Sequence, residues 1–342
     1  MESFAHFFVT SLVETFNFEV EIFAVQWSEF PVPYTPYPEL LQEYWITARS
    51  DENVERHEKN IIRDVDMRYA VRTLAESCDV IFNHSQSGVP IQLQDQISVP
   101  VITPFHAWMS PNHKIAVLEQ VANWVTTSWF VWISEDNAQP RNALDLPISM
   151  KVIRNGVNLS TRNYYDTPSQ DEYYVRAWRI DPQKWTSEVV KIAKKLWIKL
   201  KIAWHIYYED YYTNEVLPYL DDNIEYVWEL TTRELNSLIW NAHAFLFTAL
   251  WKEPFGLVLV EALASWTPVI AYNSWASERI IEPSVGVVVD QKDHDWFIAG
   301  IRNAKKFNRA ECRKYVEEHY SRDSTMKQYV EYWYERIKNM NT

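Results

Sequence analysis

From residue 78 onward, short apolar runs alternate with longer segments whose apolar positions recur every three or four residues. Cys78–Asn83, Val99–Pro104, Phe130–Ser134 and Lys151–Arg154 predict four strands in the first half. Tyr173–Ala177, Leu200–Trp204, Ile224–Val227, Ala244–Phe247, Pro268–Tyr272 and Gly286–Val289 predict six in the second. Helical spacing fills the intervals at Ser187–Leu196, Tyr211–Leu220, Thr231–Asn241 and Leu257–Ala264. Such near-continuous apolar strands, separated by amphipathic helices, fit parallel sheets with helical crossovers. Asn308–Ile337 predicts two more helices, and Glu55–Glu76 a charged one. The periodicity lapses around residues 160–171, a polar stretch. A chain of 342 residues exceeds what one core usually supports, so two α/β domains meeting there are expected. Open α/β sheets bind ligands beyond the carboxyl ends of their strands, which makes the cleft between two such domains the expected site.

Composition narrows the partners. Against 33 basic residues stand 46 acidic ones, a net charge of −13, which argues against binding nucleic acid through its phosphates. Two cysteines, Cys78 and Cys312, make neither a disulfide framework nor a metal cluster. The longest uncharged run, Leu235–Trp251, is broken by Asn236, Ser237, Asn241 and His243 and reads as a helix end plus a buried strand. Residues 1–20 lack a basic leader and a cleavage site. A cytoplasmic location is expected. One balance is abnormal: 5 glycines against 17 tryptophans, where roughly 7% glycine is usual.

Four constellations could carry chemistry. In Glu253-Pro254-Phe255-Gly256-Leu257-Val258-Leu259-Val260-Glu261, two carboxylates flank a turn that opens a helix. The amides of such a turn suit an anion or hydroxyl, and both carboxylates can reach one ligand. Read singly, Glu253 is a solvated loop charge and Glu261 a surface helix residue. Arg179 and Lys184 lie in the loop after the strand ending at Ala177, where a cation pair could neutralise a diphosphate. His106 follows the apolar run Val99–Pro104, and His84 has the same placement after Cys78–Asn83; a structural role is the more frequent one for a lone histidine. Asp64-Val65-Asp66 has metal-ligand spacing but lies inside a charged helical stretch, so no metal site is expected. No G-x-G-x-x-G, P-loop, serine elbow or H-E-x-x-H occurs.

Together these segments resemble the retaining GT-B glycosyltransferases of glycosyltransferase family 4, the glycogen-synthase and sucrose-synthase-like class. The resemblance is most specific over Glu253–Glu282 and is supported by Val175–Trp185, Val152–Leu159, Trp132–Pro140 and Val99–His106. It implies two facing Rossmann-like domains with parallel sheets. Residues 1–165 would form the acceptor-side domain and 166–320 the nucleotide-sugar donor domain, with 321–342 a helix crossing back to the first. It implies a metal-independent hexosyltransferase acting in carbohydrate biosynthesis, with a UDP- or GDP-sugar as donor and no bound cofactor. Glu261 would hold the ribose hydroxyls. Glu253 would contact the donor sugar, helped by the amides of Phe255, Gly256 and Leu257. Arg179 and Lys184 would stabilise the leaving diphosphate, and His106 would reach the sugar from the first domain. The acceptor would be a sugar, a lipid-linked sugar or a small molecule, compatible with peripheral membrane contact. Rival readings are a nucleotide-sugar epimerase, or a non-catalytic nucleotide- or glycan-binding protein on the same fold.

The chain departs from the family in two ways. Tryptophan stands where the family pattern usually has glycine, most clearly at Trp108, Trp178, Trp185, Trp204, Trp228, Trp266 and Trp275. Trp27, Trp45, Trp124, Trp129, Trp132, Trp197 and Trp240 look similar, whereas Trp251, Trp296 and Trp333 look native. An indole where the backbone needs positive φ costs strain. Met1–Phe16 resembles the family's first helix and Phe18–Val25 the strand after it. The family's first strand and glycine-rich loop find no match, so a gap in the first sheet is expected.

Overall fold

The computed structural model describes residues 2–24, 35–36, 53–85, 87–106, 111–122, 128–135, 137–138, 150–160, 162, 172–228 and 230–340. Trp27, Trp45, Trp108, Trp124 and most of the 160–171 stretch lie outside these. The chain divides into two units, Met1–Arg154 with Met326–Thr342, and Asn155–Thr325.

In the first unit, α1 (Glu2–Glu14) is followed by β1 (Phe23–Ala24), β2 (Thr35–Pro36), α2 (Asn53–Ser77), β3 (Ile81–Phe82), α3 (Val89–Gln92), β4 (Val101–Phe105), α4 (Pro111–Ala122), β5 (Ser128–Trp132) and β6 (Met150–Val152). Strands β3-β4-β5-β6 pair in that order and all in parallel. The segment expected to join this sheet after the first helix instead pairs only with β2, in a two-stranded sheet. Among the described residues the four-stranded sheet is continuous, with β3 at one edge, so the expected gap is not internal to it. One face is covered by Phe8 and Leu12 of α1 together with Met326, Tyr329, Val330 and Trp333 of the terminal helix, packed on Ile102, Trp129 and Val131. Trp129 and Trp132 are buried strand residues with ordinary φ.

The second unit runs β7 (Tyr173–Ala177), α5 (Thr186–Leu196), β8 (Lys199–Ala203), α6 (Glu209–Glu215), β9 (Ile224–Tyr226), α7 (Thr232–Asn241), β10 (Phe245–Phe247), α8 (Leu257–Ala264), β11 (Val269–Tyr272), α9 (Ala276–Ile280), β12 (Gly286–Val289), α10 (His294–Asn303) and α11 (Arg309–His319). The terminal helix α12 (Arg322–Met340) begins here and continues into the first unit. The sheet order is β9-β8-β7-β10-β11-β12, all parallel. Counted within the unit this is 3-2-1-4-5-6, the doubly wound order whose direction of winding reverses between the first and fourth strands. Apolar strands buried on both faces make that order stable: Val175, Leu200, Ile202, Leu246 and Ile270 are all fully buried. Helix α7 starts with a capping box, in which Thr231 and Glu234 each satisfy the other's backbone N–H. No described helix is long and apolar enough to cross a membrane.

Eight non-glycine residues have positive φ among the described residues, and six are tryptophans: Trp185, Trp197, Trp204, Trp228, Trp266 and Trp275. Two of these end helices in the same way. After α5, Ile198 N–H donates to Ala193 O (3.2 Å) and Trp197 N–H to Lys194 O (3.4 Å). After α8, Thr267 N–H donates to Ala262 O (3.0 Å) and Trp266 N–H to Leu263 O (2.9 Å). Both are the left-handed helix stop that glycine normally fills. Trp197 is 79% exposed, so its indole returns little burial for the strain. Trp197→Gly is therefore expected to raise unfolding stability by about 1 kcal/mol, read from the urea midpoint; a lower midpoint would show that the turn is unstrained.

Candidate functional site

The point where the winding reverses lies between β7 and β10, and a crevice opens there beyond the strand ends in this topology. The loop after β7 carries Trp178, Arg179 and Lys184; the loop after β10 carries Thr248, Trp251 and Glu253. The first loop is fixed from several sides. Asp181 caps the turn Pro182–Lys184 by accepting from Lys184 N–H at 3.0 Å. Arg176, buried in β7, donates to Trp178 O (3.1 Å) and Lys184 O (3.0 Å). Burial pulls the Arg176 guanidinium down to about 10. Thr248 shares its hydroxyl proton between the carbonyls of Lys184 and Trp185, both at 3.1 Å.

These restraints bring Lys184 and Glu253 together. Lys184 Nζ donates to Glu253 Oε2 at 3.1 Å, and Trp251 Nε1–H donates to the same oxygen at 2.6 Å. The ammonium also sits 3.5 Å from the centre of the Trp178 ring and 4.2 Å from that of Trp251. The Lys184 side chain is only 2% exposed. Burial pulls its pKa down to about 8, against the upward pull of Glu253. Arg179 is held apart from this pair: it meets Asp181 at 2.5 Å and stacks over Tyr207 with its guanidinium carbon 5.1 Å from the ring centre. Asp181 thus fixes both cations of the loop, one through its backbone and one through its side chain.

The second carboxylate depends on Gly256. That residue has φ 81° and ψ 48°, and a Cβ there would lie 3.0 Å from Leu259 Cδ1 and 3.1 Å from Ala276 Cβ. Glycine makes this turn without strain, which lets α8 start at Leu257 with Phe255 buried ahead of it. Glu261, just over one turn into α8, is met by Arg162 Nη2 at 3.3 Å. The same guanidinium donates to Glu261 O (3.2 Å) and Ser265 Oγ (2.9 Å). Burial pushes the Glu261 carboxyl up and Arg162 pulls it back. Trp275, at φ 67°, bridges Glu253 in a short parallel contact, with Lys252 Nζ 3.9 Å from its ring centre.

In the first unit, His106 and His84 lie at the ends of β4 and β3 with His84 Nδ1 and His106 Nε2 2.9 Å apart. Burial holds His84 at about 4 and His106 well below the usual imidazole range, so the rings share one N–H as a neutral pair. Asp64 accepts from Ser87 at 3.3 Å and Asp66 is buried in α2, and no group of three or more His, Cys, Asp or Glu residues suited to a metal ion occurs among the described residues.

Arg162, Asp181, Thr248 and Trp251 were not singled out by their spacing. Asp181-Pro182 is a readable turn start, but the Arg162–Glu261 contact joins residues 99 apart and leaves no local trace.

Residues 160–322, a little under half of the chain, match the family described as Glycosyl transferases group 1. No curated protein matches the chain. Among solved structures, HepE of Anabaena in complex with UDP superposes with a TM-score of 0.65 at 16% identity, covering 79% of this chain and 82% of that one. HepE has also been solved with UDP-glucose. Sucrose-phosphate synthase of Thermosynechococcus elongatus gives a TM-score of 0.66 at 17% identity, covering 80% and 78%. TarM of S. aureus, in a complex that includes UDP, gives 0.64 at 14%, covering 78% and 58%. The chain has the GT-B fold, with two parallel sheets in an α/β architecture.

Proposed function

We propose that this protein is a metal-independent glycosyltransferase that moves a hexose from a nucleoside diphosphate sugar to an acceptor hydroxyl with retention of configuration. The observation that carries this reading is the Lys184–Glu253 pair at the winding reversal of the second unit's sheet. In the cleavage step the bond from the anomeric carbon to the diphosphate breaks and negative charge builds on the departing oxygen. Lys184 and Arg179 are the cations proposed to take up that charge, aided by the amides of Phe255, Gly256 and Leu257 at the start of α8. Glu253, freed from Lys184 as the diphosphate takes its place, is proposed to hold hydroxyls of the sugar. Glu261 is proposed to accept from the ribose hydroxyls. A non-catalytic binding role is favoured by one feature, the Trp178 ring lying on the Lys184 ammonium.

Release of nucleoside diphosphate from UDP- and GDP-hexoses, measured with and without an added sugar acceptor and with a chelator, tests this. Acceptor-stimulated release that survives the chelator is expected. Binding of donor without any turnover would leave the binding role.

A pH signature follows from Lys184. Since its folded pKa is about 8, the ammonium discharges as pH rises through that value, and nucleoside diphosphate affinity should fall there. Stability should move the opposite way. The unfolded lysine keeps its proton to about 10.5, so the unfolded state binds more protons from pH 8 to 10.5 and stability rises over that interval. Calorimetric titrations at pH 7, 8 and 9 should show the fall, and Lys184→Arg should remove it, because guanidinium stays charged. Affinity independent of pH in the unaltered chain would place the phosphates elsewhere.

A further inference from the structure

The tryptophans divide by backbone conformation. Trp185, Trp197, Trp204, Trp228, Trp266 and Trp275 have φ between 51° and 109°, whereas Trp251, Trp296 and Trp333 have ordinary values. Tryptophan has no short polar side chain to compensate for the left-handed region, as Asn and Asp have, and only glycine occupies it without steric cost. Nor do several of the six indoles repay the strain. Trp197 and Trp228 are 79% and 68% exposed, and the buried Trp266 Nε1 has no hydrogen-bond partner. The rings of Trp185 and Trp275 do make contacts, with Tyr272 and with Lys252 Nζ, but neither contact needs a left-handed backbone.

The same backbone demand is met elsewhere by glycine. Gly256 has φ 81°. Glycine positions of this fold are therefore split between two residue types with no structural rule separating them. The totals move in the same direction: the six tryptophans with positive φ and the 5 glycines come to 11, nearer the roughly 7% that glycine usually supplies than 5 alone. Selection on side chains does not produce such a split, but a difference between codons does. UGA, a stop codon in the standard code, is read as tryptophan in some cells and as glycine in others.

We infer that the six tryptophans with positive φ are specified by UGA, and that the cell producing this protein reads UGA as glycine. The residues occupying positions 185, 197, 204, 228, 266 and 275 in that cell are then glycines. Trp251, Trp296 and Trp333, whose backbones make no such demand, are specified by UGG and remain tryptophan. This inference stands independently of the proposed activity, since it rests on φ alone. One consequence touches the site: with glycine at 185 and 275, the residue after Lys184 and the residue bridging Glu253 carry no side chain.

The test is the codon at each position together with peptide sequencing by mass spectrometry of the protein isolated from its own cells. Expected are UGA at all six positions and peptides lighter there by the difference between tryptophan and glycine, with UGG and unshifted tryptophan at 251, 296 and 333. UGG at the six positions, or tryptophan in their peptides, would overturn the inference.

Discussion

Lys184→Ala is expected to lower kcat/KM for donor turnover by about 100-fold or more, the range found when one preorganised donor to a developing negative charge is removed. No other cation is held against Glu253 by the second unit's described contacts, and Arg179 is tied to Asp181. The substitution also leaves the Glu253 carboxylate, 14% exposed, accepting from Trp251 Nε1–H. Breaking a buried ion pair on one side costs about 3–5 kcal/mol of stability, so loss of activity alone could report unfolding. Lys184→Met combined with Glu253→Gln removes both charges and separates the two effects. That double variant should keep a near-normal urea midpoint and still lose turnover. Retained activity in either folded variant would remove Lys184 from the mechanism.

The second large effect is a gain. Trp178, Trp185 and Trp275 adjoin the pair in different ways: the first covers the Lys184 ammonium, the second follows Lys184 in the chain at φ 51° with its ring against Tyr272, and the third bridges Glu253 through its backbone at φ 67°. Trp178 is stacked on Phe247 at the end of β10, so its ring is wedged over the strand ends where a diphosphate would approach. Replacing all three by glycine exposes Lys184 and relieves two strained residues, each costing about 1–3 kcal/mol. Nucleoside diphosphate affinity should rise about tenfold or more, equivalent to about 1.4 kcal/mol. The gain should vanish when Arg179 and Lys184 are also changed to Ala. If the triple glycine variant binds no better, the indoles are tolerated and the phosphates bind elsewhere.

How far such residues could be found from sequence depends on whether their signal is local. Tyr173–Ala177 and Gly286–Val289 form strands with the bounds expected of them, because the second is an uninterrupted apolar run and the first is interrupted only by Arg176. Tyr211–Leu220 does not stay one helix. Pro218 cannot donate to the preceding turn, so α6 ends at Glu215 and a tight turn at Leu217–Tyr219 follows. In the first unit, among the described residues, Ile81–Phe82 of the expected Cys78–Asn83 strand pairs in register with β4. The glycine deficit was legible in composition, and the backbone shows which tryptophans bear it: Trp129, Trp132, Trp178 and Trp240 have ordinary φ and six others do not. At the site, spacing picked out Glu253, Glu261, Arg179 and Lys184. It could not show that Lys184 pairs with a carboxylate 69 residues away while Arg179, five residues off, does not. That choice is made by Asp181 and by the parallel pairing of β7 with β10.

The central claim is that the second unit holds a nucleoside diphosphate at the ends of β7 and β10. A crystal structure of the triple glycine variant soaked with UDP tests it most directly. Diphosphate oxygens are expected within hydrogen-bond reach of Lys184 Nζ and the Arg179 guanidinium, with the ribose hydroxyls donating to Glu261 in place of its contact with Arg162. UDP bound away from these residues, or a Lys184 still paired with Glu253 and no nucleotide at saturating UDP, would contradict it.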